Sequence, residues 1–215
     1  MTESLTFYTN PMSRGRIVRW MLEEVGEPYE TVLLDYGTTM KDADYLAINP
    51  MGKVPAIKHG NVVVTECAAI CAYLADMFPD RGLAPPSGNQ MRGPYYRWLF
   101  FAAGPVEAAV TAKSLGLLAP EDKKMMAGYG SFEETIDALE RALQPGPYIC
   151  GERFTAADVY VGAQIGWGMM FGSIEKRPAF ETYFGRLAAR PASIRAREID
   201  DALMAEQKAR EGQPA

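Results

Sequence analysis

One stretch of the chain, residues 49–67, restricts the possible folds more than any other. It runs Asn-Pro-Met-Gly-Lys-Val-Pro, a short apolar segment, a His-Gly-Asn turn and a second apolar segment. A proline has no backbone N–H and cannot lie within the hydrogen-bonded ladder of a sheet, so Pro55 must mark an edge, a bend or a cis peptide bond. A trans bond is the default expectation because cis X-Pro bonds are scarce. The stretch therefore predicts a β-hairpin with a kinked entry.

The two ends of this stretch carry groups suited to binding. A cis bond between Val54 and Pro55 would turn the Val54 N–H and C=O outward, where an extended peptide could pair with them as an added strand. Further along, Glu66 and Cys67 open a predicted helix. The free N–H groups and positive dipole end of that helix would attract a carboxylate. Together they describe a receptor for a small acidic peptide.

These two motifs resemble the glutathione-binding half of the cytosolic (soluble) glutathione transferase family. That family has an Asn-Pro-x-Gly-x-Val-Pro segment followed by Glu/Gln-Ser at a helix start, whereas this chain has Cys67 in place of the serine. The resemblance covers nearly the whole chain. It implies a thioredoxin-like α/β N-terminal domain, an all-α helical C-terminal domain, a homodimer and glutathione as co-substrate, with no metal. The segment Pro11-Met-Ser13-Arg resembles a bacterial, serine-type version of the family.

Composition and charge exclude several other classes. The 215 residues carry a net charge of −5, so electrostatics does not favour nucleic acid or an anionic membrane. No apolar run approaches the roughly 20 residues of a membrane span, and the polar start differs from a signal peptide. Three cysteines at irregular spacing suit neither a disulfide framework nor a zinc site. We expect a reduced, cytoplasmic protein.

The order of predicted elements divides the chain in two. Residues 1–79 read as strand, helix, strand, short helix, two strands and helix, which predicts a four-stranded sheet covered by helices, as in thioredoxin-like domains. Residues 80–90 are rich in Pro, Gly and Ser and predict a linker. Residues 91–215 predict helices only: 91–117 with a bend at Gly104-Pro105, then 121–143, about 156–171, 179–189 and 193–210. Thr155 and Asp158 have the spacing of a capping box.

Two hydroxyl groups could activate the glutathione thiol. An unperturbed thiol has a pKa of about 8.5, so the site must stabilise the thiolate with hydrogen-bond donors or positive potential. The turn between the first strand and the first helix supplies both, and it carries Tyr8 and Ser13. Ser13 is the first candidate, with a helix N-cap as its alternative role. Tyr8 is the second, with packing on the strand as its alternative.

The resemblance also assigns the residues that would bind glutathione. Glu66 would take the ammonium of the γ-glutamyl end and the Cys67 N–H its carboxylate, while Val54 and Pro55 would clamp the peptide. Lys53 would pair with the glycyl carboxylate. A solvated lysine, a glutamate that complements the helix dipole and a cysteine that forms mixed disulfides remain the alternatives. We expect Cys71 to face the core and the single histidine, His59, to be exposed in the hairpin turn.

The predicted function is a detoxifying glutathione transferase that delivers the thiolate to a small hydrophobic electrophile. Aromatic and methionine side chains of the helical region could form an apolar wall for that substrate, among them Tyr95, Tyr96, Trp98, Phe101, Met169, Met170 and Phe171. Two alternatives stay open. One is a glutathione-dependent disulfide reductase or peroxidase on the same scaffold, and the other is a non-catalytic glutathione-binding module.

Overall fold

The structure, a computed structural model, describes residues 3–211 and divides the chain into two compact units. Of the described residues, the first unit contains 3–81 and 190–211, and the second contains 82–189. The last helix therefore belongs to the same unit as the start of the chain, although the second unit lies between them in sequence.

A four-stranded mixed sheet forms the centre of the first unit. Its strands are β1 (Leu5–Thr9), β2 (Glu30–Leu33), β3 (Ala56–His59) and β4 (Val62–Thr65), in the order β2-β1-β3-β4. β1 is parallel to β2 and antiparallel to β3, which is antiparallel to β4. Leu5, Phe7 and Thr9 alternate with less buried residues, because successive side chains of a strand point to opposite faces. The predicted thioredoxin-like topology is confirmed.

Within residues 3–81 and 190–211, four α-helices complete this unit: α1 (Gly15–Val25), α2 (Ala43–Leu46), α3 (Cys67–Met77) and, from the later part of the chain, α9 (Pro191–Glu211). α1 ends at Gly26, whose φ of 70° is the left-handed conformation that glycine adopts without strain. Ser13 does not occupy the N-cap position, its alternative role in the sequence analysis, since α1 begins at Gly15 with Arg14 as its N-cap. The Ser13 hydroxyl instead lies within the preceding turn.

The second unit consists of α4 (Arg92–Phe101), α5 (Glu107–Ser114), α6 (Phe132–Ala142), α7 (Ala156–Phe171) and α8 (Pro178–Ala188). A π-helical turn at Ala102–Val106 joins α4 to α5 and contains Pro105, so the predicted irregularity in the long helix is confirmed. Both parts of the fold class, α/β and all-α, are therefore observed.

The single predicted helix over residues 121–143 is wrong in its first half. Only a 3₁₀ segment forms at Glu121–Met126, and the regular helix α6 begins after Ser131. Gly130, with φ of 65°, interrupts the helical path, and Ser131 and Glu134 then form a capping box. The apolar periodicity of residues 121–143 concealed this local start signal.

The predicted exposure of His59 is also wrong. His59 lies within β3 rather than in the turn, and its side chain is buried. Its Nδ1 is 3.0 Å from the Tyr73 hydroxyl, and its ring packs against Phe78 at a centroid distance of 5.8 Å. Because β3 extends to His59, this side chain belongs to the strand and points toward α3 instead of lying in the turn.

Helix α7 is buried along most of its length, and the carboxylate of Asp158 anchors its start. Asp158 Oδ1 accepts hydrogen bonds from Ile149 N at 2.7 Å and the Tyr183 hydroxyl at 2.8 Å, and Oδ2 accepts from Thr155 N at 2.8 Å. This confirms the predicted pairing of Thr155 with Asp158. Among residues 3–211, no helix is both long and apolar enough to cross a membrane.

Replacing Asp158 with alanine should destabilise the protein strongly. The substitution leaves buried donors of Ile149, Thr155 and Tyr183 without an acceptor, at a cost of at least about 3 kcal/mol. Calorimetry should report a Tm lower by roughly 6–12 °C. Asp137→Ala is the matched control because Arg177 keeps Glu140 as a partner, and it should cost under about 1 kcal/mol. Equal losses for the two variants would contradict the assigned role of Asp158.

Candidate functional site

The register of the sheet brings three loops together at one end of its strands. Ala56 of β3 lies opposite Tyr8 of β1 on one side and Thr65 of β4 on the other. The segments that follow β1, precede β3 and follow β4 therefore meet at the same end of the sheet. All the residues that the sequence analysis selected lie in or next to these segments: Tyr8, Ser13, Lys53, Val54, Pro55, Glu66 and Cys67.

The segment before β3 presents the backbone N–H and C=O of Val54, which are held in place but not hydrogen-bonded in the described chain. The Val54–Pro55 peptide bond is cis. Within residues 3–211, the N–H and C=O of Val54 form no hydrogen bond. The preceding carbonyl, Lys53 O, accepts from the Tyr45 hydroxyl at 2.6 Å and from Asn49 Nδ2 at 2.7 Å. Val54 thus offers a strand-like edge that its neighbours hold in place.

Two further side chains support this segment and were missed by the sequence analysis. Lys41 Nζ donates to Met51 O at 3.1 Å and to Gly52 O at 2.9 Å, and Asn49 Oδ1 accepts from Met51 N at 3.1 Å. The side chain of Lys53, in contrast, is exposed. Asn49 carried a usable signal, because an asparagine before a proline commonly closes a turn with its side chain. A lone lysine such as Lys41 carries none.

The loop between β1 and α1 is built around Asn10 in the same way. Its buried side chain donates from Nδ2 to Leu34 O at 2.8 Å and accepts at Oδ1 from Met12 N at 2.9 Å. Its carbonyl accepts from Ser13 N at 3.0 Å. Asn10-Pro11 and Asn49-Pro50 thus use one device to shape two neighbouring loops. The first of them is tied to the end of β2.

The Ser13 hydroxyl is held inside this loop. Ser13 Oγ donates to Asn10 O at 2.6 Å and accepts from Gly15 N at 2.9 Å, and the residue is only 8% exposed. A Cβ at Gly15 would collide with Thr9 Oγ1, so the chain must have glycine here. Ser13 thus lies two residues before α1, and the N–H of Gly15, the first residue of that helix, is directed at its hydroxyl oxygen.

The side chain of Tyr8 points to the face of β1 opposite to that of Leu5, Phe7 and Thr9. Its half-buried ring packs against a cluster formed by Leu34, Met40, Tyr45 and Ala56, with the ring centroid 5.8 Å from that of Tyr45. Val54 packs against the same cluster. The Tyr8 hydroxyl forms no hydrogen bond with any residue of the described chain. Tyr8 is thus an aromatic residue of the strand that packs through its ring and keeps its hydroxyl outside the hydrogen bonds of the described chain.

The start of α3 combines a helix N-terminus with backbone strain. Glu66 has φ of 66° and ψ of 119°, a conformation that a residue with a side chain seldom adopts. Cys67 begins α3, and its thiol donates to Arg14 O at 3.7 Å. The N-terminal ends of α1 and α3 are therefore adjacent, and both direct positive dipole ends toward this edge of the sheet.

The two cysteines of α3 differ in environment. Cys71 faces the core as expected, with no exposed surface, and burial raises its thiol pKa well above the ordinary value. It stays a neutral thiol. Cys67 is 8% exposed and packs at the junction of α1 and α3. Among residues 3–211, no three His, Cys, Asp or Glu side chains come together in a group that could hold a metal ion.

Comparison with known proteins identifies the family. Residues 12–77 match the model of the glutathione S-transferase N-terminal domain, and residues 107–168 match that of the C-terminal domain. Glutathione S-transferase GstA of Escherichia coli O157:H7 is 31% identical over 189 residues, which cover 86% of this chain and 90% of that protein. The chain belongs to the glutathione S-transferase family.

Solved structures of other glutathione transferases have the same fold. A glutathione transferase from Methylococcus capsulatus is 32% identical with a TM-score of 0.77, over 92% of this chain and 99% of that one. A sphingomonad glutathione S-transferase complexed with glutathione is 29% identical with a TM-score of 0.75, over 91% and 98% of the two chains. This protein is a glutathione transferase.

The strain at Glu66 leads to a prediction about stability. Glu66→Gly should stabilise this glutathione transferase by about 1 kcal/mol, because relief of a positive φ, about 1–3 kcal/mol, exceeds the entropy cost of glycine. Its Tm should rise by about 2–4 °C. Glu66→Ala removes the same carboxylate but keeps the backbone strain, and its Tm should not rise. If the alanine variant gained as much as the glycine variant, the side chain rather than the backbone would be the source of the strain.

Proposed function

We propose that this glutathione transferase binds reduced glutathione at the sheet edge formed by the three loops and delivers its thiolate to a small hydrophobic electrophile. One observation carries the proposal: Val54, whose N–H and C=O are held in place but unpaired in the described chain, lies two residues before Ala56, the β3 residue that pairs with Thr65 next to Glu66. A peptide and an anion can therefore be bound side by side. The glutathione complex of the sphingomonad relative supports this ligand.

Each part of the tripeptide has a matching group. The cysteinyl backbone pairs with the N–H and C=O of Val54, as in strand addition, with Pro55 fixing the kink. The γ-glutamyl ammonium binds the Glu66 carboxylate. The γ-glutamyl carboxylate binds the Cys67 N–H at the positive end of α3. The exposed Lys53 pairs with the glycyl carboxylate.

Ser13 is the proposed donor to the thiolate, which makes this a serine-type member of the family. The Gly15 N–H donates to Ser13 Oγ and polarises the hydroxyl. When glutathione binds, the hydroxyl proton turns from Asn10 O to the sulfur, while the start of α1 contributes positive potential. Tyr8 is the second candidate, because its hydroxyl has no partner in the described chain and its ring packs against the same apolar cluster as Val54.

We also propose that the protein acts as a cytoplasmic homodimer, as the family resemblance implies. Large apolar side chains of α4, such as Tyr96 and Phe100, are exposed and could contribute to the interface. Light scattering on the purified protein tests the assembly. A mass equal to that of one chain at micromolar concentration would contradict the dimer.

Ser13→Ala should raise the pKa of the bound glutathione thiol. Loss of one donor to the developing anion should raise this pKa by about 1–2 units and lower kcat/KM at neutral pH at least about tenfold. Tyr8→Phe is the matched control and should change the pKa by less than about 0.5 units and kcat/KM by less than about threefold. Ultraviolet absorbance of the thiolate, titrated with pH, measures the pKa. The opposite ranking would make Tyr8 the donor.

Turnover and binding assays on the wild-type protein separate the alternative functions. Turnover of disulfides or peroxides without conjugation of electrophiles would identify the reductase or peroxidase. Saturable glutathione binding with no turnover over a broad panel of electrophiles would identify a non-catalytic binding module. Conjugation with a thiolate present near neutral pH supports the transferase mechanism.

Glu66→Ala should weaken glutathione binding. A lost charge-assisted hydrogen bond is worth about 1.5–3 kcal/mol, which corresponds to an increase in Kd of roughly 10–150-fold. Isothermal titration calorimetry measures this Kd. Glu30→Ala removes an exposed carboxylate of β2 and serves as the control, with an unchanged Kd. Unaltered affinity in Glu66→Ala would remove Glu66 from the proposed site.

A further inference from the structure

Helices α1 and α9 pack against each other within the first unit and carry complementary charges. At the C-terminal end of α1, Glu24 binds Arg190 at 2.7 Å, and Glu23 binds Arg195 at 3.2 Å. Glu24 is almost completely buried by these contacts. At this end of the pair, α1 supplies the acids, and the start of α9 and the residue before it supply the bases.

The other end of the helix pair reverses the signs. Here α1 supplies Arg16 and Arg19, and α9 supplies Asp200 and Asp201. Arg19 Nε donates to Asp200 Oδ1 at 3.1 Å, and Arg16 pairs with Asp201. Because α9 is antiparallel to α1, a reversed α9 would bring like charges together. This end is the one next to the loop that contains Ser13.

Arg19 connects α1 to three other elements. It is 2% exposed, and besides Asp200 its Nη1 donates to the Tyr29 hydroxyl at 3.1 Å and to Thr31 Oγ1 of β2 at 2.9 Å. Its guanidinium lies 5.0 Å from the ring centroid of Phe7 in β1. A planar group with several fixed donors can make all these contacts at once, which a lysine cannot.

These contacts join the two elements that flank the loop at residues 9–15. Phe7 lies opposite Thr31 in the sheet, two residues before the loop begins, and Arg19 is one helical turn after Gly15, where α1 begins. A single side chain therefore sets the distance between the strand that enters the loop and the helix that leaves it. Asp200 fixes the orientation of that side chain from α9.

Stability alone does not account for this buried pair. Arg19 Nη2 and Asp200 Oδ2 have no hydrogen-bond partner in the described chain, and burial raises the pKa of Asp200 although Arg19 opposes the rise. Apolar side chains of similar volume often stabilise a fold as well as a buried ion pair or better. Hydrogen bonds in fixed directions supply what apolar packing does not, namely a defined position for α1.

We propose that Arg19 and Asp200 are positioning residues that keep the loop at residues 9–15 in the geometry needed for thiolate stabilisation. The inference rests on the proposed function of Ser13. Arg19 acts through the loop, not through its charge. Its effect therefore depends on the three directed contacts with Asp200, Tyr29 and Thr31.

Arg19→Lys and Asp200→Asn separate position from charge. Arg19→Lys keeps the positive charge but loses the shared contacts, and it should raise the pKa of the bound thiol by about one unit, equal to about tenfold less thiolate. Asp200→Asn keeps an acceptor for Arg19 Nε while removing a negative charge, and the thiol pKa should stay within about 0.3 units of the wild-type value. An effect through charge alone predicts the reverse: no change for Arg19→Lys and a lower pKa for Asp200→Asn.

Arg190→Met is the matched control for loss of helix packing. It leaves Glu24 without an ion-pair partner at the opposite end of α1, so it should lower the Tm at least as much as Arg19→Lys does. It should leave the thiol pKa unchanged. If the thiol pKa of all variants followed their Tm, the role of Arg19 would be structural only and the inference would be overturned.

Hydrogen exchange gives a readout that does not depend on activity. In Arg19→Lys the amides of Met12 and Gly15, which bond within the loop, should exchange at least about tenfold faster, and in Arg190→Met they should not. A wild-type protein with no bound thiolate would refute the proposed function, while this exchange pattern would still support the positioning of the loop. Unchanged exchange in Arg19→Lys would overturn the inference.

Discussion

The hydrogen-bonded register of β1, β3 and β4 is the constraint on which the rest of the first unit depends. Ala56 pairs with Tyr8 and with Thr65, so three loops far apart in sequence come together at one end of the strands. A shift of one residue would turn each strand over and move its side chains to the wrong face. The buried residues of β1 and β3 oppose such a shift, because it would expose apolar surface to water. Core packing therefore determines the geometry of the site.

Backbone groups, more than side chains, form the proposed binding surface. The Val54 peptide group and the N-terminal ends of α1 and α3 supply its hydrogen-bonding capacity, and side chains hold these groups in place from behind. Asn10 and Asn49 shape two of the loops, and Arg19 joins α1 to the sheet and to α9. Such preorganised groups lose little entropy when a ligand binds. Strain at Glu66 is consistent with the same principle, since strained backbone tends to occur at functional sites.

Local signals were reliable where one short segment decides the outcome. The irregularity at Pro105 and the pairing of Thr155 with Asp158 both followed from residues within one helical turn. Predictions failed where two local signals competed. Apolar periodicity over residues 121–143 outweighed the capping box at Ser131, and the turn composition around Gly60 concealed the strand position of His59. In both cases the missing information was the path of the neighbouring backbone.

The sequence by itself determined the α/β and all-α classes, the order of the elements and the segments that form the candidate site. Proline, glycine and capping residues act through their own backbone, so their effects can be predicted without knowledge of distant contacts. Only the tertiary structure decided which groups in those segments are paired. The Ser13 hydroxyl is bonded inside its loop, Val54 is unpaired, and Arg19 meets Asp200 from the far end of the chain. Such pairings depend on directions and distances between residues far apart in the sequence, 181 positions in the case of Arg19 and Asp200, which a one-dimensional pattern does not contain.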